Sequence, residues 1–206
     1  MTYGEFKQFV LSLINQATIR GDEIEDSYND QADYTLRIPM LYNDAAGKVA
    51  TEGKAYVATM DLDSVEKEDA GNGFTIITPP DGFIKMTGDG IPLVRGGRMT
   101  RLQRYYMVGN KLYVRNDLMR GVIEYEKEPD MLPITPDENT ELDGDREQQF
   151  CAAYYVAAMI IAQADAFMYS VLMNEYNDRL NNMKTRLWAE TFEINDAMGV
   201  SYPFIY

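Results

Sequence analysis

The sequence of 206 residues contains no histidine and a single cysteine, Cys151. Without histidine the chain lacks the commonest general base and the commonest zinc ligand, and a Ser-His-Asp triad is impossible. One cysteine cannot form a disulfide within the chain, and its place among alanines predicts a small buried hydrophobic residue. These absences predict a protein that is not an enzyme.

The acidic and glycine-rich segments also lack the spacing of known sites. The carboxylates around Asp61 and Asp143 are not followed by the glycine and the terminal glutamate of a calcium loop. Gly71-Asn72-Gly73 and Gly88-Asp89-Gly90 lack the third glycine and the following helix of a dinucleotide site, so they are predicted to be turns. We therefore predict no catalytic residue, no cofactor and no metal site.

Basic residues are scarce, with 19 Lys and Arg against 33 Asp and Glu and a formal net charge of −14. Such a charge argues against gripping nucleic acid through its phosphates and against binding anionic membrane surfaces. An acidic wall would still let a polyanion slide past without sticking. The alternative is that the acidity only keeps the protein in solution.

Long apolar runs are absent as well. The longest, from Cys151 to Ala162, has about a dozen residues, whereas a membrane span needs roughly 20. The residues from Thr2 to Phe6 lack the basic region that precedes the apolar run of a signal peptide. We expect a soluble protein made in a cytoplasm.

Aromatic residues are plentiful, and the chain has 15 tyrosines. With 46% hydrophobic residues the chain falls in the globular class and is long enough to bury a core. Tyrosine combines a large apolar ring with a polar tip, which suits surfaces that become buried on assembly. A role in the core of the protein is the equal alternative for many of them.

Helical periodicity occupies both ends of the sequence. An amphipathic helix is predicted from Tyr3 to Ile19, followed by a second helix with a kink or break at Pro39. After a proline-punctuated crossing, Asp143 or Asp145 is predicted to cap one long helix that runs to about Lys184. The alanines of this helix would let other helices approach closely.

The middle of the sequence changes to the period of β-strands. Gly109-Asn110 lies between two β-rich runs and predicts a hairpin, and Ser64 to Gly73 is predicted to be a solvated loop. The predicted fold class is α+β, with a helical base, a long C-terminal helix and an inserted small antiparallel β region. The predicted organisation is N-terminal helices over 1–53, a β-rich insertion over 54–132, the long helix over 133–187 packed on the N-terminal helices, and a tail over 188–206.

One segment reverses the charge of the chain. Residues 91–120 contain seven Lys or Arg and one Asp, a net charge of +6. The pair Gly96-Gly97 is expected to make the first part of this segment mobile or turn-like. We interpret the segment as a loop that pairs with an acidic face of the next subunit, in preference to one that touches DNA phosphates in a channel. A solvated basic loop with no partner is the third reading. The arginines concerned are Arg95, Arg98, Arg101 and Arg104.

The last residues are unusually apolar. Exposing several large apolar side chains at the end of a chain is costly unless a partner covers them. We therefore predict a partner-binding tail within Met198 to Tyr206. Its candidate contact residues are Tyr202, Phe204, Ile205 and Tyr206.

The order of these signals resembles the head-to-tail adaptor (connector or gatekeeper) proteins of tailed bacteriophages. The resemblance spans most of residues 22–187 and rests on patterns of residue type, not on a catalytic motif. The alanine-rich phrase Tyr155-Val156-Ala157-Ala158 and the close from Glu175 to Leu180 are similar to the family's last helix. The other matching segments are Phe74 to Phe83, Tyr105 to Tyr113, Ile123-Glu124-Tyr125 and Pro133.

This resemblance implies a structural virion protein at the head–tail junction. It implies a homo-oligomeric ring of about twelve copies, a dodecamer, beneath the portal protein and with the tail or a neck protein on its other side. DNA would pass through without sequence recognition, and the C-terminal tail would clasp the portal. The alternatives are another structural virion protein, of the tail-completion or capsid-associated kind, and a non-viral oligomeric scaffold.

Overall fold

The computed structural model describes residues 1–18, 28–71, 73–87, 91–95, 98–103, 105–115 and 122–197. The described part is a mixture of helices and antiparallel sheets, which confirms the predicted α+β class. The helices are α1 (Tyr3–Thr18), α2 (Tyr28–Lys48), α3 (Arg146–Ile161) and α4 (Ala166–Ala197). The strands are β1 (Tyr56–Asp61), β2 (Lys67–Gly71), β3 (Phe74–Ile77), β4 (Phe83–Met86), β5 (Ile91–Arg95), β6 (Arg98–Gln103), β7 (Tyr105–Val108), β8 (Lys111–Arg115) and β9 (Val122–Lys127).

The chain divides into two compact units. The helical unit consists of residues 1–54 and 129–206, and the β unit consists of residues 55–128. Both chain ends therefore belong to the helical unit, and the β unit is inserted between its second and third helices.

Helix α3 is the centre of the helical unit and packs against α1, α2 and α4. It is buried on nearly every side because small apolar residues follow one another along it, from Cys151 to Ala153 and from Val156 to Ala158. A helix that is apolar all round belongs inside a protein, and alanine allows its neighbours to approach closely. Sequence composition thus places α3 at the core.

The single long helix predicted from Asp143 or Asp145 to Lys184 is wrong, because the helix is interrupted after Ile161. The predicted cap is correct: the Asp145 carboxylate accepts a hydrogen bond from the Gln148 backbone N–H at 2.9 Å, and the Gln148 side chain accepts one from the Asp145 N–H. Asp165 caps α4 in the same manner, accepting from the Met168 N–H at 3.0 Å. A second capping aspartate inside the alanine-rich run starts a new helix.

Helix α2 contains Pro39 and continues through it without a break. Pro39 and its neighbour Ile38 are buried, so packing in the helical unit stabilises the helix where proline removes a hydrogen bond. A π-helical turn over Val49–Gly53 follows. A Cβ atom at Gly53 would lie 2.8 Å from Leu180 Cδ1, so this glycine permits close contact with α4.

The β unit contains two antiparallel sheets whose inner faces share one core. The strand orders are β1-β9-β4 and β2-β3-β8-β7. Met86, Ile123 and Tyr125 of the first sheet pack with Ile77 and Leu112 of the second. In β9, buried residues alternate with exposed ones, as the period of two in its sequence predicts.

Two turns of the β unit test the sequence predictions locally. Gly109 has a φ of +60° between β7 and β8, which confirms the predicted hairpin. The predicted loop from Ser64 to Gly73 contains strand β2, which pairs with β3 although all five of its residues are exposed. Backbone hydrogen bonding, which has no signature in side-chain polarity, makes this segment a strand.

Candidate interaction surfaces

Strands β5 and β6 form an antiparallel hairpin, here called the arginine hairpin. Arg95 pairs with Arg98, Leu93 pairs with Arg101, and a β-bulge at Thr100 shifts the register between these two pairs. Positions alternate between the faces of a strand, so Leu93 and Arg95 belong to one face of β5. Their partners Arg98 and Arg101 belong to that same face. The three arginine positions therefore share one face of the hairpin.

The interpretation of this segment as a loop is wrong for residues 91–95 and 98–103, because they form paired strands, while the predicted mobile or turn-like pair Gly96-Gly97 lies outside the described residues. In a regular strand, positions three apart lie on opposite faces, so Arg98 and Arg101 would be separated. The bulge at Thr100 brings Arg98 and Arg101 to the same face. Arg104 and the glycine pair lie outside the described residues.

A surface of opposite charge lies on the four-stranded sheet. Strand β2 is at one edge of this sheet, and we call β2 together with Glu66 the acidic edge. The residues of the acidic edge, 66–71, hold three acids and one lysine, a net charge of −2. Glu68 forms an exposed ion pair with Lys111, whose Nζ lies 3.2 Å from Glu68 Oε2. An exposed pair of this kind is weak enough to exchange for a better partner.

The helical unit exposes large apolar side chains from two segments. Leu36 is 64% exposed and Met40 is 71% exposed, one turn apart on α2. In the crossing that leads to α3, Met131 is 70% exposed and Ile134 is 83% exposed. We call these four residues the apolar surface. Their exposure is far above that of a core residue that merely reaches the surface.

Asn43 holds the two segments of the apolar surface together. Its side-chain NH₂ donates to the Leu132 carbonyl oxygen at 2.9 Å, and its side-chain oxygen accepts from the Leu132 N–H at 2.8 Å. Met40 precedes Asn43 by three residues on α2, so both lie on one side of that helix, and Met131 adjoins Leu132 in the chain. These hydrogen bonds therefore hold the backbone next to Met131 against α2, about one turn from Met40.

A polar cluster on α2 and α3 contains the side chains of Asp44, Lys48 and Tyr155. Asp44 Oδ2 lies 2.6 Å from Lys48 Nζ and accepts a hydrogen bond from the Tyr155 hydroxyl at 2.7 Å. The hydrogen bonds from Lys48 and Tyr155 lower the pKa of Asp44, while burial and the bond to Asp44 raise the pKa of Tyr155. Tyr155 is thus held protonated, and the hydrogen bonds of the cluster fasten α2 to α3.

The buried thiol confirms its sequence prediction. Cys151 has no exposed surface, and burial raises its pKa to about 12. A thiol in this state is a poor nucleophile, since the thiolate is the reactive form. Across the described ranges of the chain, no three His, Cys, Asp or Glu side chains converge to hold a metal ion.

A cleft of about 470 Å³ opens near the start of α3 and is lined by Phe9 and Phe150, among others. Glu5 is the single carboxylate in its lining, and it accepts a hydrogen bond from the Thr2 N–H at 3.0 Å. The lining holds no second carboxylate, so the cleft lacks the pair that general acid–base catalysis by carboxyl groups uses.

The predicted site residues thus have different outcomes. Arg95, Arg98 and Arg101 come together on one face, whereas Arg104 and the tail residues Tyr202, Phe204, Ile205 and Tyr206 lie outside the described residues. Sequence reasoning missed the apolar surface. Its available signal was the presence of Met131 and Ile134 in a proline-punctuated segment, where loops are usually polar.

The helices were also considered as membrane spans, and the sequence was compared with known protein families and curated proteins. Among the helices of the described segments, none is both long and apolar enough to cross a membrane. No model of a protein family and no curated protein matches the chain.

Proposed function

We propose that the chain is a head-to-tail adaptor of a tailed bacteriophage, a structural virion protein without enzymatic activity. It forms a ring between the portal protein and the tail or neck, and DNA passes through this ring. The proposal starts from the order of sequence signals between Phe74 and Lys184, and the surfaces of the two units support it.

The apolar surface of the helical unit carries the proposal. Exposed apolar residues scattered singly are normal, but a contiguous group of large ones marks an interaction site. Leu36 and Met40 lie one turn apart on α2, and the hydrogen bonds between Asn43 and Leu132 hold the segment that contains Met131 against this helix. A chain whose task is to join other proteins requires such a surface.

The distribution of charge fits the same function. A closed ring is built from unlike surfaces that meet at every boundary between copies. The arginine hairpin and the acidic edge are unlike surfaces on one unit. The acidic excess of the whole chain suits a channel wall along which DNA moves without being held.

The remaining partners follow from the resemblance. The portal protein is the platform, the tail or neck protein binds opposite to it, and about twelve copies complete the ring in a closed cyclic arrangement. The tail residues from Tyr202 to Tyr206 stay predicted portal contacts.

Native mass spectrometry tests the function directly. The purified chain is measured alone and after mixing with portal rings from the same source. A complex of one portal ring with about twelve copies of the chain is expected, the number that the resemblance to head-to-tail adaptors implies. A chain that ignores the portal and forms a small closed oligomer by itself would favour the scaffold alternative.

The apolar surface has its own test in the double variant Met40→Lys with Ile134→Lys. Two charges on this surface oppose its burial, so ring formation on the portal should fall by about tenfold or more. The free energy of unfolding should change by at most about 0.5 kcal/mol per substitution, since both positions are exposed. Both are measured, by native mass spectrometry and by urea unfolding.

The matched control is Val122→Lys, which puts a lysine on another strongly exposed apolar position, in the β unit. It should assemble as the wild type does. If the double variant assembles equally well, the apolar surface is not an interface.

A further inference from the structure

The arginine hairpin is a sheet of only two described strands. Among the described strands, none pairs with the outer edge of β5 or of β6, and no other described element packs against them to a comparable extent. A two-stranded hairpin by itself is marginally stable in water and needs a further strand or a packing face. Among the strands that the structure describes, the hairpin therefore has no partner at its outer edges.

The acidic edge is suited to receive the arginine hairpin, because it combines an edge strand with acidic side chains. Within the described strands, β2 pairs with β3 alone and is therefore an edge strand of its sheet, to which a further strand can add. All five residues of β2 are exposed, and the acids Glu66, Glu68 and Asp69 lie on or beside it. An added strand with arginines would satisfy both the backbone and the carboxylates.

Within one copy, the arginine hairpin and the acidic edge are connected to opposite edges of the four-stranded sheet. We call the hairpin the donor of a strand and the acidic edge its acceptor. One residue links the arginine hairpin to β7, and β7 is at the opposite edge of the sheet from β2. Three inter-strand spacings, about 14 Å in total, lie between these edges. Each copy therefore carries a donor at one edge of the sheet and an acceptor at the other, which is the arrangement that joins copies head to tail.

We propose that the arginine hairpin of one copy adds to the acidic edge of the next copy and extends the four-stranded sheet across the boundary between them. This inference rests on the proposed function, because it names the contact that closes the adaptor ring. Backbone hydrogen bonds join the strands. The pairing of Arg95, Arg98 and Arg101 with carboxylates selects β2 over the apolar edge β7 and sets the direction of the ring.

A second copy of the chain fits the arginines better than DNA does. Arginines that bind DNA work best on a protein surface that is positive overall, and this chain has a net charge of −14. The acceptor charge is already present on every copy, at an edge that offers a strand as well.

Charge reversal on each side provides the test. The donor variant carries Arg95→Glu, Arg98→Glu and Arg101→Glu, and the acceptor variant carries Glu66→Lys, Glu68→Lys and Asp69→Lys. Each variant alone places like charges at every boundary, so ring formation on the portal should fall by about tenfold or more. A 1:1 mixture alternates the two variants and makes every boundary complementary again.

The expected result is therefore a ring from the mixture but from neither variant alone. Native mass spectrometry should show equal numbers of the two variants in that ring. Circular dichroism and urea unfolding check that each variant is folded. If a reversed chain does not fold, glutamine replacements at the same positions should weaken assembly in the same direction with a smaller loss.

Each of the other outcomes contradicts a specific part of the proposal. If either variant alone forms rings like the wild type, or if the mixture fails as both variants do, the strand pairing is wrong while the adaptor function stands. If the donor variant keeps its ring but loses binding of duplex DNA in a gel-shift assay, the arginines serve DNA instead. If the wild type does not assemble on the portal, the adaptor function and the pairing fail together.

Discussion

The helical unit and the β unit differ in how their cores and charged residues are arranged, although the β unit also exposes large apolar residues such as Val108 and Val122. The helical unit surrounds an apolar helix, α3, on nearly every side and still leaves large apolar residues such as Met40 and Ile134 in water. The β unit encloses a small core between two sheets and concentrates opposite charges on the arginine hairpin and the acidic edge. Under the proposed function, the helical unit would assemble through apolar contact and the β unit through oriented pairing of charges.

The substitution Phe6→Ala should have the largest effect on stability. Phe6 is fully buried in the helical unit, and its ring meets the Tyr42 ring edge to face at 5.1 Å. Removing a buried phenylalanine leaves a cavity, so the free energy of unfolding should fall by about 3 to 5 kcal/mol in a urea titration.

The control for this substitution is Phe167→Ala. Phe167 is 72% exposed on α4, so its loss should change stability by no more than about 0.5 kcal/mol. Equal losses for the two variants would contradict the distinction between core and surface in the helical unit.

Leu112→Ala tests the core of the β unit. Leu112 is fully buried in the cluster between the two sheets. Replacing leucine by alanine removes fewer atoms than replacing phenylalanine does, so the free energy of unfolding should fall by about 2 to 4 kcal/mol. Hydrogen exchange followed by mass spectrometry should report lost protection in residues 55–128. Val108→Ala, at a position of β7 that is 57% exposed, is the matched control and should have little effect. Lost protection in both units would mean that they unfold as one.

Asp145→Ala should have the smallest effect of the three and compares polar contacts in the two units. Asp145 caps α3 and its carboxylate lies 2.7 Å from Lys54 Nζ. Loss of the cap should cost about 1 kcal/mol in urea unfolding. Asp145→Asn keeps a capping oxygen and should retain most of this stability. Glu68→Gln removes only the exposed pair with Lys111 and should cost less than about 0.5 kcal/mol.

The effect of Asp145→Ala should depend on pH. Burial opposes the charge, but hydrogen bonds from Lys54 and the Gln148 N–H lower the pKa of Asp145 below its ordinary value of 3.8. A carboxylate with a lowered pKa stabilises the fold above its ordinary pKa, and that contribution disappears as the pH falls through the lowered value. The difference between wild type and Asp145→Ala should therefore be constant near neutral pH and shrink below about pH 4. A difference that grows in acid would contradict this assignment.

Much of the fold could be predicted because its signals are local. The Asp145 cap, the hairpin at Gly109 and the alternation along β9 each depend on residues only a few positions apart. The predictions failed where a local pattern was compatible with two different structures. The alanine-rich run allowed one helix or two, and the cap at Asp165 divided it.

The candidate surfaces depended more strongly on pairing. The charge of residues 91–120 was visible in the sequence, but its three-residue spacing does not suit one face of a strand. The bulge at Thr100 brings Arg98 and Arg101 to one face, and a bulge is set by the pairing of two strands. The apolar surface likewise required the contact between Asn43 and Leu132, which are 89 positions apart.

The sequence by itself determined the class of the fold, the helical ends around a β insertion, and the reversal of charge within that insertion. Period, caps, turns and composition act over a few residues, so they can be read along the chain. The tertiary structure decided which residues share a surface: it places the three arginine positions on one face, the acidic strand at the edge of its described sheet, and the segment around Leu132 against α2. Contacts between distant positions arise from register and packing, and these depend on the whole chain.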